Sequence, residues 1–384
     1  MEPLARGRRF YKPSGISSKN IKRKIAVGVL GYGYWGPLLV RNFKSLPDCQ
    51  LKAVCDVNAA RLKHLGGLYA DVEGMSDPQQ FINGCGLDAV VIATPVTHHY
   101  ALAKASLLAG KHTFIEKPMA SSSEQCEELI DIAERSGLVL MVDHTFLYSA
   151  PVRKIVEIIQ AGDLGDIRYI NSRRLNLGLF QTDINVAWDL APHDISIILH
   201  ILGEFPLAIN CQGNAHVHRD VEDVTNMSLS FPHKRFATIQ SSWIEPRKIR
   251  EMTIVGTQRM IVYDDLETHE KIRIYDVRVE RPPHYDTFAE FHYSYHYGDS
   301  YIPRFHQEEP LNVACRHFID CIETNSQPVT GGRQGLEMIR ILEAASTSLK
   351  MNGAPVTFGG STRPAPAFAP AKTEEVLEVE AFAG

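Results

Sequence analysis

The sequence predicts an α/β protein, with an N-terminal doubly wound parallel sheet followed by a second α/β domain built on a large, mainly antiparallel sheet. Three observations lead there. Apolar runs of strand length alternate with amphipathic stretches through the first 147 residues. A Gly-x-Gly-x-x-Gly turn lies between the first such strand and the first helix. From residue 209 the pattern changes to short strands separated by turn residues.

Taken in order, Ile25–Leu30 is a continuous apolar run, as expected of a central parallel strand buried on both faces. Pro37–Leu46 reads as a helix, Leu51–Asp56 as a strand and Ala59–Tyr69 as a helix. Asp88–Ala93 is another buried strand, followed by a helix that Thr97 can cap and Gly110 stops. His112–Glu116 is a strand. Ser121 and Glu124 form a capping box for a helix with Cys126, Leu129, Ile130 and Ala133 on one face, ending at Gly137. Leu138–Val142 closes the parallel half. Pro151–Ala161 then reads as a helix, Ile167–Arg174 as a strand and Pro192–Leu202 as a helix with proline in its first turn. Short strands fill residues 209–274. Residues 278–309 read as a long Tyr- and His-rich loop, and helices follow at Pro310–Glu323 and Gln334–Lys350. The organisation expected is a basic, disordered arm (1–23), a parallel-sheet α/β domain (24–147), a second α/β domain (148–360) and a Pro/Ala/Glu-rich tail (361–384).

The chain has 384 residues, 44% hydrophobic and 22% charged, which suits two globular domains and excludes a disordered, collagenous or disulfide-scaffold protein. No apolar run approaches the ~18–20 residues that span a bilayer, so no membrane insertion is expected. Residues 1–24 carry eight basic side chains against the single acid Glu2, whereas residues 25–360 carry 30 basic and 40 acidic. An acidic body repels phosphate backbones, so nucleic acid is not an expected partner. Seven cysteines without a CxxC, and an N-terminus lacking the apolar core of a secretory signal, point to reduced thiols in a cytoplasmic protein. The pairs His292/His296 and His216/His218 lack further ligands at metal spacing, so no metal is expected.

Three motifs carry chemistry. The first is Gly31-Tyr-Gly33-Tyr34-Trp35-Gly36, followed by Asp56 at the end of the next strand. Gly31 makes the turn, Gly33 admits the pyrophosphate to the backbone, Gly36 lets helix and sheet approach, and Asp56 binds the adenosine ribose diol. A carboxylate there repels a 2′-phosphate, and Val57-Asn58 supplies no Arg or Lys to offset it, so NAD is favoured over NADP. The second is Glu116-Lys117-Pro118, beyond a strand's carboxyl end, where a lysine can stabilise a developing alkoxide. The third is Trp188-Asp189-Leu-Ala-Pro192-His193-Asp194. Asp189 and His193 share a helix face, so that the carboxylate can orient an imidazole acting as a base. A helix cap and a packed polar residue account for that pair equally well.

Together these motifs, with Ala93-Thr94-Pro95 and His99, resemble the glucose–fructose oxidoreductase, inositol dehydrogenase and MocA family over residues 24–355. The resemblance implies an N-terminal Rossmann domain and a C-terminal sheet that commonly forms an oligomer interface. It implies Lys117, Asp189 and His193 as the catalytic group, an often cis Lys117–Pro118 bond, and Thr94, Pro95, His99, Glu116 and Lys117 itself beside the cofactor with Tyr34 and Trp35. No role is assigned to His98. Within the family, Asp143-His144-Thr-Phe-Leu-Tyr148 and Arg174-Leu-Asn176-Leu-Gly178 look most like bacterial nucleotide-sugar dehydrogenases that oxidise the 3-hydroxyl of a UDP-linked N-acetylhexosamine or its uronate. Arg174 and Asn176 can then face that ligand, or equally lie on a polar sheet face or an interface. A homodimer or homotetramer is expected. Two other classes compete on this scaffold. One is an NAD-dependent glycoside hydrolase, which releases no net NADH. The other is a non-catalytic dinucleotide-binding sensor, which has no need of the Lys, Asp and His set.

Overall fold

The computed structural model describes residues 23–181, 184–280 and 294–359. Nearly all of the basic arm, the Pro/Ala/Glu-rich tail and His292 lie outside them. The parallel half contains β1 (Ile25–Leu30), α1 (Gly36–Ser45), β2 (Cys49–Cys55), α2 (Ala59–Leu68), β3 (Glu73–Met75), α3 (Pro78–Gly84), β4 (Ala89–Ile92), α4 (Val96–Leu108), β5 (His112–Glu116), α5 (Ser123–Ser136) and β6 (Leu140–Asp143). The strands run parallel in the order β3-β2-β1-β4-β5-β6. Strand order therefore reverses between β1 and β4, and the crevice beyond their carboxyl ends is where such sheets bind ligands. Ala26–Leu30 of β1 and every residue of β4 are buried, so both central strands are covered on both faces.

Local signals moved some boundaries. Ser122, not Ser121, caps α5 by accepting from Gln125 N, while the Gln125 side chain reaches back to Ser121 N at 3.1 Å, so the capping box is shifted by one residue. Thr97 caps nothing, because α4 starts at Val96 with Pro95 in the cap position. β3 and α3 have no counterpart in the sequence pattern. One is three residues long and the other seven, too short to show a period, although Asp77 caps α3 by accepting from Gln79 N and Gln80 N.

The second half contains α6 (Ala150–Gln160), β7 (Ile167–Leu177), α7 (Val186–Leu202), β8 (Ala208–Asn214), β9 (Val224–Ser230), β10 (Phe236–Ser242), β11 (Ile244–Gly256), β12 (Met260–Asp264), β13 (Ile272–Glu280), β14 (Ser294–Tyr301), α8 (Pro310–Thr324), α9 (Gly332–Lys350) and β15 (Val356–Thr357). Among the described residues the sheet runs β14-β13-β12-β11-β7-β10-β9-β8-β15. Only the β7–β10 pairing is parallel. The segment read as a long loop over 278–309 is partly sheet, because β13 runs on to Glu280 and pairs with β14. Tyr and His at alternate positions suit an edge strand, but their polarity hides the two-residue period.

One face of this sheet buries Ile170, Ile239, Leu229, Ile209 and Ile254 beneath α7 and α9. The other presents polar side chains such as Asn171, Arg173, Asn226 and Gln240, around a depression of about 370 Å³. The late helix α8 returns to the first sheet, where Phe318 meets Phe43 of α1 and Phe114 of β5 with ring centroids 6.3 and 5.5 Å apart. Such edge-to-face triads pack at core density and add to area burial. Likewise α9 packs on α5, on α7 and on β8. The two sheets are thus bound by helices whose sequence order does not follow the fold.

Candidate active site

The site sits where β1, β4, β5 and β6 end and α7 passes overhead. Gly31 has φ +96°, and a Cβ there would lie 2.6 Å from Ala93 O. A Cβ on Gly36 would run into the Gly31 carbonyl oxygen, so the turn and the opening of α1 require both glycines. Gly33 differs. Its Cβ position meets only Arg61 Nη1, at 3.8 Å, leaving its backbone open to an approaching phosphate. Tyr34 and Trp35 stand exposed over this turn with their rings edge-to-face at 5.6 Å. Asp56 is buried and accepts from Tyr32 N at 2.7 Å and Asn58 N at 2.8 Å. It also accepts from Arg61 Nη1 at 3.2 Å. No basic residue follows Asp56 directly, but the first turn of α2 brings one back to it.

At the ends of β4, β5 and β6, the buried Thr94 Oγ1 and His144 Nε2 lack hydrogen-bond partners, whereas the buried carboxyls of Glu116 and Asp143 have each other. Buried polar groups are normally satisfied, so this local deficit marks a place where a polar ligand belongs. Glu116 and Asp143 are in register on neighbouring strands. Burial raises both carboxyls, Glu116 well above its usual value and Asp143 to about 6, and the proximity of the two adds to the rise at Glu116. Burial lowers His144 to about 4, keeping it neutral. His99 does not line the cleft. Its ring is buried between Thr94 O at 2.7 Å and Pro118 O at 2.8 Å, tying the end of β4 to the end of β5. It holds Thr94 and the cis Lys117–Pro118 peptide in place. Pro95 is exposed at the start of α4.

The structure brings Lys117, Asp189 and His193 together. Lys117 Nζ donates to Asp189 O at 3.0 Å and lies 3.8 Å from its Oδ1. Asp189 and His193 sit in the early turns of α7, which begins at Val186 under an Asn185 cap, six residues before the start expected from Pro192. Pro192 is inside the helix, where it removes the N–H that Trp188 O would accept. The Asp189 carboxylate accepts from Trp243 Nε1 at 3.1 Å. Its partners are therefore Lys117 and Trp243, and no hydrogen bond links it to the His193 ring among the described residues. Trp243 was not singled out by sequence, since nothing local marks an indole on β10's exit as facing α7. His193 packs against Phe146 with centroids 4.9 Å apart and remains partly exposed at the cleft. Desolvation, followed by the charges of Lys117, Arg174 and Arg250, lowers its pKa well below the usual 6.5. At neutral pH it is an unprotonated base.

Arg174 does not face the cleft as a free cation. Its guanidinium is buried, forks onto Asp194 at 2.8 and 3.1 Å, and lies 4.7 Å from the centre of the Phe146 ring. Asn176, two residues further along the same strand face, is half-buried near Trp243 and Gly178 and stays available. Of the two histidine pairs, His292 lies outside the described residues. His216 pairs with Asp223 at 2.7 Å and His296 with Asp276 at 3.1 Å. Among the described residues no group of His, Cys, Asp or Glu is placed to hold a metal ion. The seven cysteines are free thiols. No helix among the described residues is long and apolar enough to cross a membrane.

Comparison with known proteins identifies both halves of the chain. Residues 25–144 match the model of an oxidoreductase family with an NAD-binding Rossmann fold, and residues 152–262 match the GFO/IDH/MocA C-terminal domain. The chain belongs to the Gfo/Idh/MocA oxidoreductase family. It is 28% identical over 240 residues to a UDP-N-acetylglucosamine 3-dehydrogenase of Acidithiobacillus ferrooxidans, covering 62% of this chain and 74% of that one. It is 25% identical to a scyllo-inositol 2-dehydrogenase (NADP+) of Bacillus subtilis, over 85% of this chain and 94% of that one. In fold it resembles an aldose-aldose oxidoreductase of Caulobacter crescentus with a TM-score of 0.74 and 20% identity, over 88% of this chain and all of the other. The first of these domains is an NAD-binding Rossmann fold, and the glycine turn with the buried Asp56 beyond the next strand fits a dinucleotide. The backbone at Gly33 is open to an approaching phosphate. Replacing Gly36 with Ala is expected to weaken NADH binding by ~10–100-fold, the equivalent of the 1–3 kcal/mol that overpacking costs. Fluorescence titration checks it; an unchanged Kd would count against this turn as the cofactor cradle.

Proposed function

We propose that the protein is a sugar dehydrogenase that moves a hydride between the nicotinamide and a ring hydroxyl, with a nucleotide sugar of the UDP-N-acetylhexosamine type as substrate and its 3-position as the reacting carbon. The observation that carries this reading is the convergence of Lys117, Asp189 and His193 at the carboxyl edge of the parallel sheet, beside the polar strand ends. The bound nicotinamide supplies the hydride acceptor. The neutral His193 takes the hydroxyl proton. Lys117 donates to the same oxygen as negative charge builds on it, and Asp189 holds Lys117 in position with Trp243 fixing the carboxylate. Asn176 extends the cleft toward the rest of the sugar.

Support for the substrate class comes from the relative that acts on UDP-N-acetylglucosamine. The test is NADH formation at 340 nm with UDP-N-acetylglucosamine, its uronate, inositols and free aldoses. Turnover confined to inositols or free aldoses would remove the nucleotide sugar. A relative named as a glycosyl hydrolase family 109 protein keeps one alternative open, although only 38% of this chain aligns with it. Sugar cleavage without net NADH would favour that reading.

The low pKa of His193 has a kinetic consequence. A base must be unprotonated in the free enzyme, so kcat/KM for alcohol oxidation falls as pH drops through its pKa. Because burial and the neighbouring cations depress that pKa, the acid limb is expected below pH ~6.5 rather than at the free-imidazole value. An acid limb centred above 7 would exclude His193 as the base. The open polar face of the large sheet suits symmetric association, and light scattering at micromolar concentration is expected to give a dimer or tetramer.

A further inference from the structure

The dipeptide Glu222-Asp223, just before β9, belongs to none of the sequence motifs. The Asp223 side chain is 0% exposed. Three donors converge on its carboxylate: His216 N at 2.7 Å, Val217 N at 2.8 Å and His216 Nδ1 at 2.7 Å. Burial presses its pKa upward, but these donors outweigh burial and leave the carboxyl below the usual carboxylate range. Asp223 is therefore an ionised, fully bonded anchor, and it ties the turn that joins β8 to β9 onto the end of the sheet.

The backbone carbonyls of this dipeptide hold the two supports of Asp189. Glu222 O accepts from Val186 N, the first residue of α7, at 2.9 Å, and Glu222 Oε2 accepts from Asn185 Nδ2 at 2.8 Å. Asn185 caps α7, its Oδ1 accepting from Trp188 N at 3.1 Å, so Glu222 fixes the opening of the helix that carries Asp189 and His193. One residue on, Asp223 O accepts from Trp243 N at 2.9 Å. Trp243 is buried, and its Nε1 donates to Asp189 Oδ2 at 3.1 Å. The helix bearing Asp189 and the indole fixing its carboxylate are thus held by adjacent residues, and a shift of the dipeptide moves both. We propose that Glu222 and Asp223 are positioning residues for hydride transfer: anchored by the buried Asp223 carboxylate, they set Trp243 against α7 and so aim Asp189 at Lys117. This rests on the dehydrogenase reading of the Lys117, Asp189 and His193 site and extends it to residues that act through Asp189.

The test follows NADH formation by the purified full-length protein with whichever of UDP-N-acetylglucosamine, its uronate, inositols and free aldoses the wild type oxidises fastest. Asp223→Asn keeps the size of the side chain but must turn an amide N–H toward one of the three donors. It is expected to lower kcat by ~10–100-fold, the cost of a displacement near the reacting centre, with sugar KM and NADH Kd within ~3-fold of wild type. Glu222→Ala should lower kcat by ~3–10-fold. Glu222→Gln, whose amide oxygen still accepts from Asn185 Nδ2, should recover most of that loss. The decisive readout is a double variant. Once Trp243→Phe has removed the indole N–H, little is left for Asp223 to place, so adding Asp223→Asn should lower kcat by less than ~3-fold further. A merely structural role would lower kcat by the same factor in both backgrounds, or lower Tm with kcat per folded molecule unchanged, and either result would overturn the proposal. So would variants that raise KM with kcat intact. Should Asp223→Asn lose the wild-type circular dichroism spectrum, the half-buried Glu222 still decides: equal kcat in Glu222→Ala and Glu222→Gln would overturn the proposal. A wild type that forms no NADH with any of these sugars would overturn the dehydrogenase reading itself, and the proposal with it.

Discussion

Lys117→Ala and His193→Ala are each expected to lower kcat by ~10²–10⁴, the usual range for a positioned acid or base, with little change in the Kd of NADH. The lysine ammonium is oriented by two groups of one residue, the carbonyl of Asp189 at 3.0 Å and its carboxylate at 3.8 Å, so it is aimed rather than free. His193 sits close enough to that ammonium for its pKa to be depressed by it. In the proposed reaction a hydroxyl held between the two would meet a donor on one side and a neutral acceptor on the other, as proton removal coupled to hydride loss requires. Asp189→Asn should fall between the two alanine variants and wild type, since the carbonyl contact survives while the carboxylate that Trp243 and Lys117 share does not. The check is steady-state kinetics on whichever sugar supports turnover, with direct NADH titration beside it. Wild-type kcat in both alanine variants would remove these residues from the chemistry.

Most of the site was legible because each motif is local. The glycine turn, Glu116-Lys117-Pro118 and the Asp189/His193 spacing each lie within a few residues of one another, and backbone periodicity places each at an element's end. What was not legible depends on contacts across the chain. Arg61 and Asp56 are five apart, a distance that gains meaning only once β2 ends and α2 turns back. Trp243 reaches Asp189 across 54 positions, and nothing in its own neighbourhood announces it. His99 reads as a cofactor residue because it follows Thr94, yet both of its ring nitrogens face backbone carbonyls.

The fold shows the same division. Buried parallel strands betray themselves as unbroken apolar runs, and the six-stranded order follows from right-handed βαβ connections. The edge strand β14 was hidden by its polar and aromatic composition, because an edge facing water on both sides has no apolar alternation to detect. That α8 completes the layer over the first sheet could not be read from its own amphipathic stripe. Such a stripe shows that a helix packs, but not against what.

Arg174 supplies the second large expected effect, and it separates a structural from a ligand-facing role. Its fork onto Asp194 is buried on both sides, with side chains 6% and 5% exposed, and Ser172 Oγ adds a third donor to the same carboxylate at 2.8 Å. Removing one partner leaves the other charge buried and uncompensated, so Arg174→Ala should cost about 3–5 kcal/mol, a fall in Tm on the order of 10 °C. Replacing both partners by apolar residues, as in Arg174→Met with Asp194→Leu, should lose less than the single variant, because no charge is stranded. The pair also bears on catalysis. Arg174 stacks on one side of Phe146 and His193 packs on that same ring, while Asp194 follows His193 on α7. Loss of the pair should therefore lower kcat through a misplaced His193, rather than raise KM alone. A substrate-binding arginine would give the opposite pattern, an unchanged Tm and a raised KM, and that result would return Arg174 to the cleft.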